Sequence, residues 1–173
     1  MLIAHLPAGY ITTKLLFKHY QQRITSYKAF MFWGLLGSVA PDFDMLYFHL
    51  IDHRQHHHHR YASHFPIVWI SLLALSILLL RLKPHRPFAV FAFIFSLGGF
   101  IHLLLDSIVG DIWWLAPLID QPFALATVPA RFHPWWLNFI LHWSFGLEIG
   151  LMVMAAYLWC KSRNSSRHEG DGI

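Results

Sequence analysis

Three apolar stretches, 66–82, 88–109 and 136–160, set the terms on which this chain can fold. Each comes close to the ~20 residues that carry a helix across the hydrocarbon of a bilayer. A water-soluble domain would need charge to cover them, yet 56% of the residues are hydrophobic and only 13% are charged, against about 25% in ordinary soluble proteins. The bilayer is the expected solvent, and the three stretches are expected to span it. Two further runs, 2–17 and 29–40, are short for a span and are expected as short tilted or partly interfacial helices. The predicted fold is all-α: an integral membrane helical bundle of about five membrane-embedded helices over residues 1–160. Residues 161–173, rich in Ser, Arg, Gly and acidic residues, are expected as a disordered cytoplasmic tail.

Lysine and arginine set an orientation. If all five segments cross, Lys14, Lys18, Arg23, Lys28, Arg81, Lys83, Arg86, Lys161, Arg163 and Arg167 share one side, and only Arg54, Arg60 and Arg131 lie opposite. The positive-inside rule makes the crowded side cytoplasmic. This predicts a multi-pass protein of the inner cell membrane with its N-terminus outside and its C-terminus in the cytoplasm. The single cysteine, Cys160, excludes an intrachain disulfide and a Cys-based zinc site. A formal charge of +4, with no basic stripe interleaved with aromatics, gives no sign of a nucleic-acid partner. Membrane lipids are the expected surroundings.

That topology, drawn from Lys and Arg alone, gathers the other polar residues on one side. His5, the element PDFD with Asp42 and Asp44, the histidine-rich stretch 52–66, the pair His102 and Asp106, and His142 all fall toward the outer ends of their segments. Ionisable groups inside a membrane are costly and are functional candidates for that reason. In HLLLD, His102 and Asp106 stand four apart on a helix and share a face, which suits two ligands of one ion or a simple His–Asp hydrogen bond. In PDFD, Pro41 can open a helix whose first turn favours Asp42 and Asp44 with or without a metal.

The stretch DHRQHHHHRYASHFP holds six of the fourteen histidines and reads as two consecutive hexads of the form His-Arg-x-x-x-His. A helix would put His53, His57 and His64 on one face, whereas a loop could present His59 and His64 together. His64 is expected to act with His59 or His57, while His49, His53, His56 and His58 are expected to be solvated or to stand behind the ligands. A pH-sensitive run of solvated histidines is the plainer alternative.

His5, the PDFD element, His59-Arg60-x-x-Ser63-His64, and HLLLD followed by Gly110 and WLAP together resemble the YdjM-like family of membrane-bound, metal-dependent hydrolases. These elements run in the family's order from His5 to Pro117, about two thirds of the chain. The resemblance implies a hydrolytic activity and a divalent metal ion held by His5, Asp42, His59, His64, His102 and Asp106, to which His142 is added from its place near the outer end of its segment. His and carboxylate ligands suit zinc best, with manganese or iron as alternatives. So many ligands would accommodate two or more ions. Asp44 is expected as general base or bridging ligand, and Arg60 or Arg131 as the holder of a substrate phosphate. The expected substrate is a lipid-like phosphoester at the outer membrane–water boundary. A divalent-metal or proton transporter or sensor, and a non-catalytic protein with a structural metal, are the rival readings.

Overall fold

The computed structural model describes Met1 and residues 3–170, with side chains up to Asn164. Seven α-helices follow one another: α1 His5–Tyr20, α2 Tyr27–Val39, α3 Asp44–Leu50, α4 Pro66–Leu82, α5 Pro87–Val109, α6 Trp136–Ile140 and α7 Ser144–Gly170. Among the described residues there is no strand, only an isolated antiparallel bridge between Ile112 and Phe123. The local signals are conventional. Ser26 caps α2, its Oγ accepting from the Ala29 N–H at 3.3 Å. Pro66 and Pro87 open α4 and α5 at positions where a missing N–H costs nothing.

α5 is the axis of the bundle, packed against α2, α4 and α1. Short connections at one end, after α1 and after α4, make the helices alternate in direction. The N-termini of α1 and α4 and the C-termini of α2 and α5 therefore share the opposite end. Two apolar clusters fill the interior: Phe30, Val90 and Ile94, and Trp69, Leu103 and Ile112. Between α2 and α5 the backbones touch. A Cβ on Gly37 would stand 2.1 Å from the carbonyl oxygen of Phe95, and one on Gly98 would stand 2.8 Å from the amide nitrogen of Ser38. Small residues at such a seam are how helices approach closely where no water drives them together.

The expectation of about five spans needs correction. Among the described residues two helices are long and apolar enough to cross a membrane, Pro87–Val109 and Ser144–Asn164. α4 is strongly apolar, but its 17 residues cover about 26 Å at the helical rise, short of a ~30 Å hydrocarbon core. α1 and α2, with 16 and 13 residues, are shorter still. The segment 136–160 does not form one helix, because its polar residues bond locally and compete with the helix ladder. Asn138 accepts from the N–H groups of Arg131 and Phe132 at 2.8 and 2.7 Å, tying α6 to the preceding loop. His142 and Ser144 bond each other at 2.9 Å across the break. At the other end α7 continues past Cys160 to Gly170, and Lys14 Nζ donates to Ser162 Oγ at 2.8 Å. The stretch expected as a tail is thus helical up to Gly170; 171–173 lie outside the described residues.

The seam between α2 and α5 gives a test. Gly37→Val forces a side chain into a main-chain carbonyl that cannot rotate away, and should cost about 1–3 kcal/mol or more. Gly150→Ala, where an added Cβ meets nothing within 4 Å, should be neutral or slightly stabilising. Thermal unfolding in detergent reads the difference; equal melting temperatures would contradict the packing.

Candidate metal centre

Four separate pieces of chain meet at the shared end of the bundle. α1 brings His5 in its first turn, the short turn after α2 brings Asp42, α5 brings His102 and Asp106, and the loop before α4 brings His58, His59 and His64. His5, His59, His64, His102 and Asp106 are all buried. Asp106 is the hub. Its Oδ1 receives His5 Nε2 at 3.1 Å and the α-amino group of Met1, while its Oδ2 lies 3.0 Å from His102 Nε2, 3.7 Å from His59 Nε2 and 3.9 Å from His64 Nε2. Asp42 closes the ring, with Oδ1 3.5 Å from His102 Nε2 and 3.7 Å from His64 Nε2.

The far side of three of these rings is fastened. Nδ1 of His102 lies 2.8 Å from the carbonyl oxygen of Ser38, and Nδ1 of His59 lies 3.0 Å from that of Asp111. A carbonyl can only accept, so each Nδ1 carries a proton and Nε2 is the nitrogen left for the centre. Nδ1 of His64 contacts Asp44 Oδ2 at 2.6 Å, and that same oxygen accepts from Ser63 Oγ at 2.6 Å. Rings fastened at one nitrogen with the other turned inward are the usual surroundings of metal-binding histidine.

The inward nitrogens have no other use. Nε2 of His64 and Nε2 of His102 are buried without a hydrogen-bond partner, although carboxylate oxygens lie 3.0–3.9 Å away. Leaving such groups unpaired is costly. Ligand atoms bound at 2.0–2.1 Å around a tetrahedral zinc lie about 3.3 Å apart, and the observed separations bracket that value. The residues therefore fit a divalent cation. Three groups of side chains could hold one: His64, His102 and Asp106; His5, Asp42 and His102; and His58, His59 and His64.

Of the residues expected from sequence, His5, Asp42, His59, His64, His102 and Asp106 come together. The choice between His59 and His57 falls to His59, because His57 is exposed and its Nδ1 accepts from the His59 N–H at 3.3 Å, propping the turn. Three expectations are corrected. His142 stands in the break before α7, bonded to Ser144 and absent from every ligand group. Asp44 lies behind His64, where its Oδ2 fastens Nδ1 of that ring instead of facing the other ligands. Arg60 turns away: its guanidinium donates to Asp120 at 2.7 Å and lies over the Trp113 ring. Arg131, the alternative phosphate holder, is exposed and lines no part of the cavity described next. His58, set aside in the sequence, packs its ring 4.0 Å from that of His59. Its placement follows from a tight reversal at His53 and Arg54, whose φ angles of 51° and 64° are left-handed. Nothing in a non-glycine pair announces such a turn.

The centre opens into a cavity of about 600 Å³ between α3, the C-terminal end of α5 and the connector before α6. His5, Asp42, Asp106 and Asp111 form its polar floor; Val109, Ala124, Val128, Trp135 and Phe139 give it apolar walls. The connector is held there by backbone bonds, Leu125 N–H to the Ser107 carbonyl at 2.8 Å and Ala126 N–H to that of Ile108 at 2.9 Å.

Fold and site together define an all-helical membrane protein with a buried histidine–aspartate centre of metal-binding type. The chain matches the family model described as YdjM inner membrane protein over residues 1–167, and it belongs to that family. No curated protein and no solved structure matches it.

The loop histidines predict a pH dependence. Burial, reinforced by neighbouring histidines, lowers His58 to about 4 and His59 to about 2. Their folded values lie below the ~6.5 of an unfolded chain, so as pH falls the unfolded state binds protons first. Stability should be flat above about 6.5 and fall as pH drops from there toward 4. Melting of chelator-treated protein in detergent should show this slope, reduced in His58→Gln. A melting temperature unchanged between pH 6.5 and 4 would contradict it.

Proposed function

We propose that this protein is a metal-dependent hydrolase of the inner membrane, acting on a lipid-like phosphoester at the outer membrane–water boundary. One observation carries the reading: His59, His64 and His102 are each fastened at Nδ1, turn Nε2 toward two carboxylates, and adjoin a cavity large enough for a substrate head. A purely structural metal needs no such cavity.

His59, His64, His102 and Asp106 would hold the ion, with zinc the best match to these donors and manganese or iron as alternatives. When bound, such an ion polarises a phosphoryl oxygen and makes water acidic enough to give hydroxide near neutral pH. The protein's own groups do the rest. Asp44 and Ser63 fix His64, the Ser38 carbonyl fixes His102, and the apolar walls limit water around the scissile bond. Asp42 is the acceptor for the proton of the attacking water. It is 38% exposed, at the cavity floor.

The polar groups deeper in the bundle argue against a transport pathway. Thr13, Ser76 and Ser96 each bond a carbonyl of their own helix, those of Gly9, Leu73 and Ala92. Among the described residues no hydrogen bond or ion pair joins any of the three to a charged side chain. With the basic residues inside, the protein would be multi-pass with a cytoplasmic C-terminus.

Zinc- or manganese-loaded protein should cleave a lipid phosphoester or a small phosphoester reporter, lose activity on chelation and regain it on metal return. Asp42→Asn should keep its metal and lose about 10²-fold or more in kcat, the usual contribution of a positioned proton acceptor. Metal-loaded protein inert toward phospho-, carboxy- and glycolipids would overturn the reading.

A further inference from the structure

We infer that the cavity is built for a membrane phosphodiester whose head carries a positive group, that Asp111 reads that group, and that phosphomonoester and diphosphate heads are disfavoured. This rests on the phosphoester reading above and specifies its substrate class.

Charge is the first argument. Among the described residues no lysine or arginine lines the cavity. The nearby Arg60 is committed to Asp120 and Trp113, and the α-amino group of Met1 is paired with Asp106. Against these stand three carboxylates, Asp42, Asp106 and Asp111. Even with one divalent ion bound and the Met1 amine counted, no positive surplus remains for a doubly charged phosphate. Sites that recognise such groups normally supply arginine forks or lysines. A phosphodiester brings one negative charge, which the ion can meet. An ammonium on the same head gives the surplus carboxylate a partner.

Position is the second. Asp111 follows directly on the end of α5, and its backbone carbonyl is the acceptor that fastens His59. Its side chain is exposed, lines the cavity, and carries no hydrogen bond or ion pair among the described residues. Its carboxylate attracts the ring of His57, which also lines the cavity, and stays exposed to a ligand there. Asp42 and Asp106, by contrast, are occupied by histidines.

The apolar side selects a lipid over a free head group. Exposed leucines follow the lining residues in sequence: Leu46 and Leu50 come after Met45 on α3, and Leu125 comes after Ala124 in the connector. These leucines offer apolar surface beside the cavity for an acyl chain. In a member of an inner membrane protein family, that surface faces lipid.

Retention is the direct test, because it does not require turnover. Full-length zinc-loaded protein is equilibrated with mixed vesicles of phosphatidylethanolamine, phosphatidylglycerol and phosphatidic acid of matched chains, and the lipid it keeps is read by native mass spectrometry. The amine-bearing diester should be kept up to about five-fold over phosphatidic acid, the range of one exposed ion pair. Asp111→Asn should erase the preference and Asp111→Lys should reverse it, both folding normally because the position is exposed. Equal or stronger retention of phosphatidic acid by the natural protein, or a preference untouched in both variants, would overturn the inference. The two readings fail separately. An amine-selective protein that cleaves nothing loses the hydrolase, whereas cleavage indifferent to head charge loses this inference alone.

Discussion

A carboxylate in an apolar helix is the constraint on which this structure turns. Asp106 lies near the end of the most hydrophobic helix of the chain, almost wholly buried, where an uncompensated charge would cost several kcal/mol. The fold answers with partners from its own helix and from two other segments. His5 arrives from α1, His102 from one turn earlier on α5, and His59 and His64 from a loop that has no regular structure of its own beyond two short turns.

Delivery at this precision needs a rigid frame, and the frame is made of small residues. Gly37 and Gly98 let α2 and α5 touch backbone to backbone, which brings the Ser38 carbonyl within reach of His102 Nδ1. The same contact therefore packs the helices and sets a histidine tautomer. On the loop side, Trp69 donates to the Ser63 carbonyl at 2.7 Å, and Ser63 in turn holds Asp44 against His64. Packing, second-layer hydrogen bonds and the inward nitrogens form one chain of cause, so a change in the frame should be felt at the centre.

The gathering of these side chains at one end was legible from spacing, the alternation of segments and the family resemblance together. His102 and Asp106 four apart on a helix, Asp42 just after α2, and His59 and His64 before α4 were all placed on one end by the alternation of segments. Tertiary partners were not legible. That Asp44 serves His64, or that Asp120 draws Arg60 away, depends on contacts across 20 and 60 positions of sequence. His58 depended on a left-handed turn at two non-glycine residues, and His142 on a helix break made by local bonds of Asn138 and Ser144. The apolar runs identified helices correctly as helices. They overstated how many could span, because run length in sequence ignores where a side chain ends the ladder.

The central claim is that three imidazoles and Asp106 converge on one ion. X-ray absorption at the metal edge of zinc-loaded, purified protein tests it most directly. The account predicts nitrogen and oxygen neighbours at about 2.0–2.1 Å with the outer-shell signature of three imidazole rings, unchanged in His142→Ala and diminished in His102→Ala. A shell of water oxygens without imidazole, or a spectrum that responds to His142 and not to His102, would contradict it.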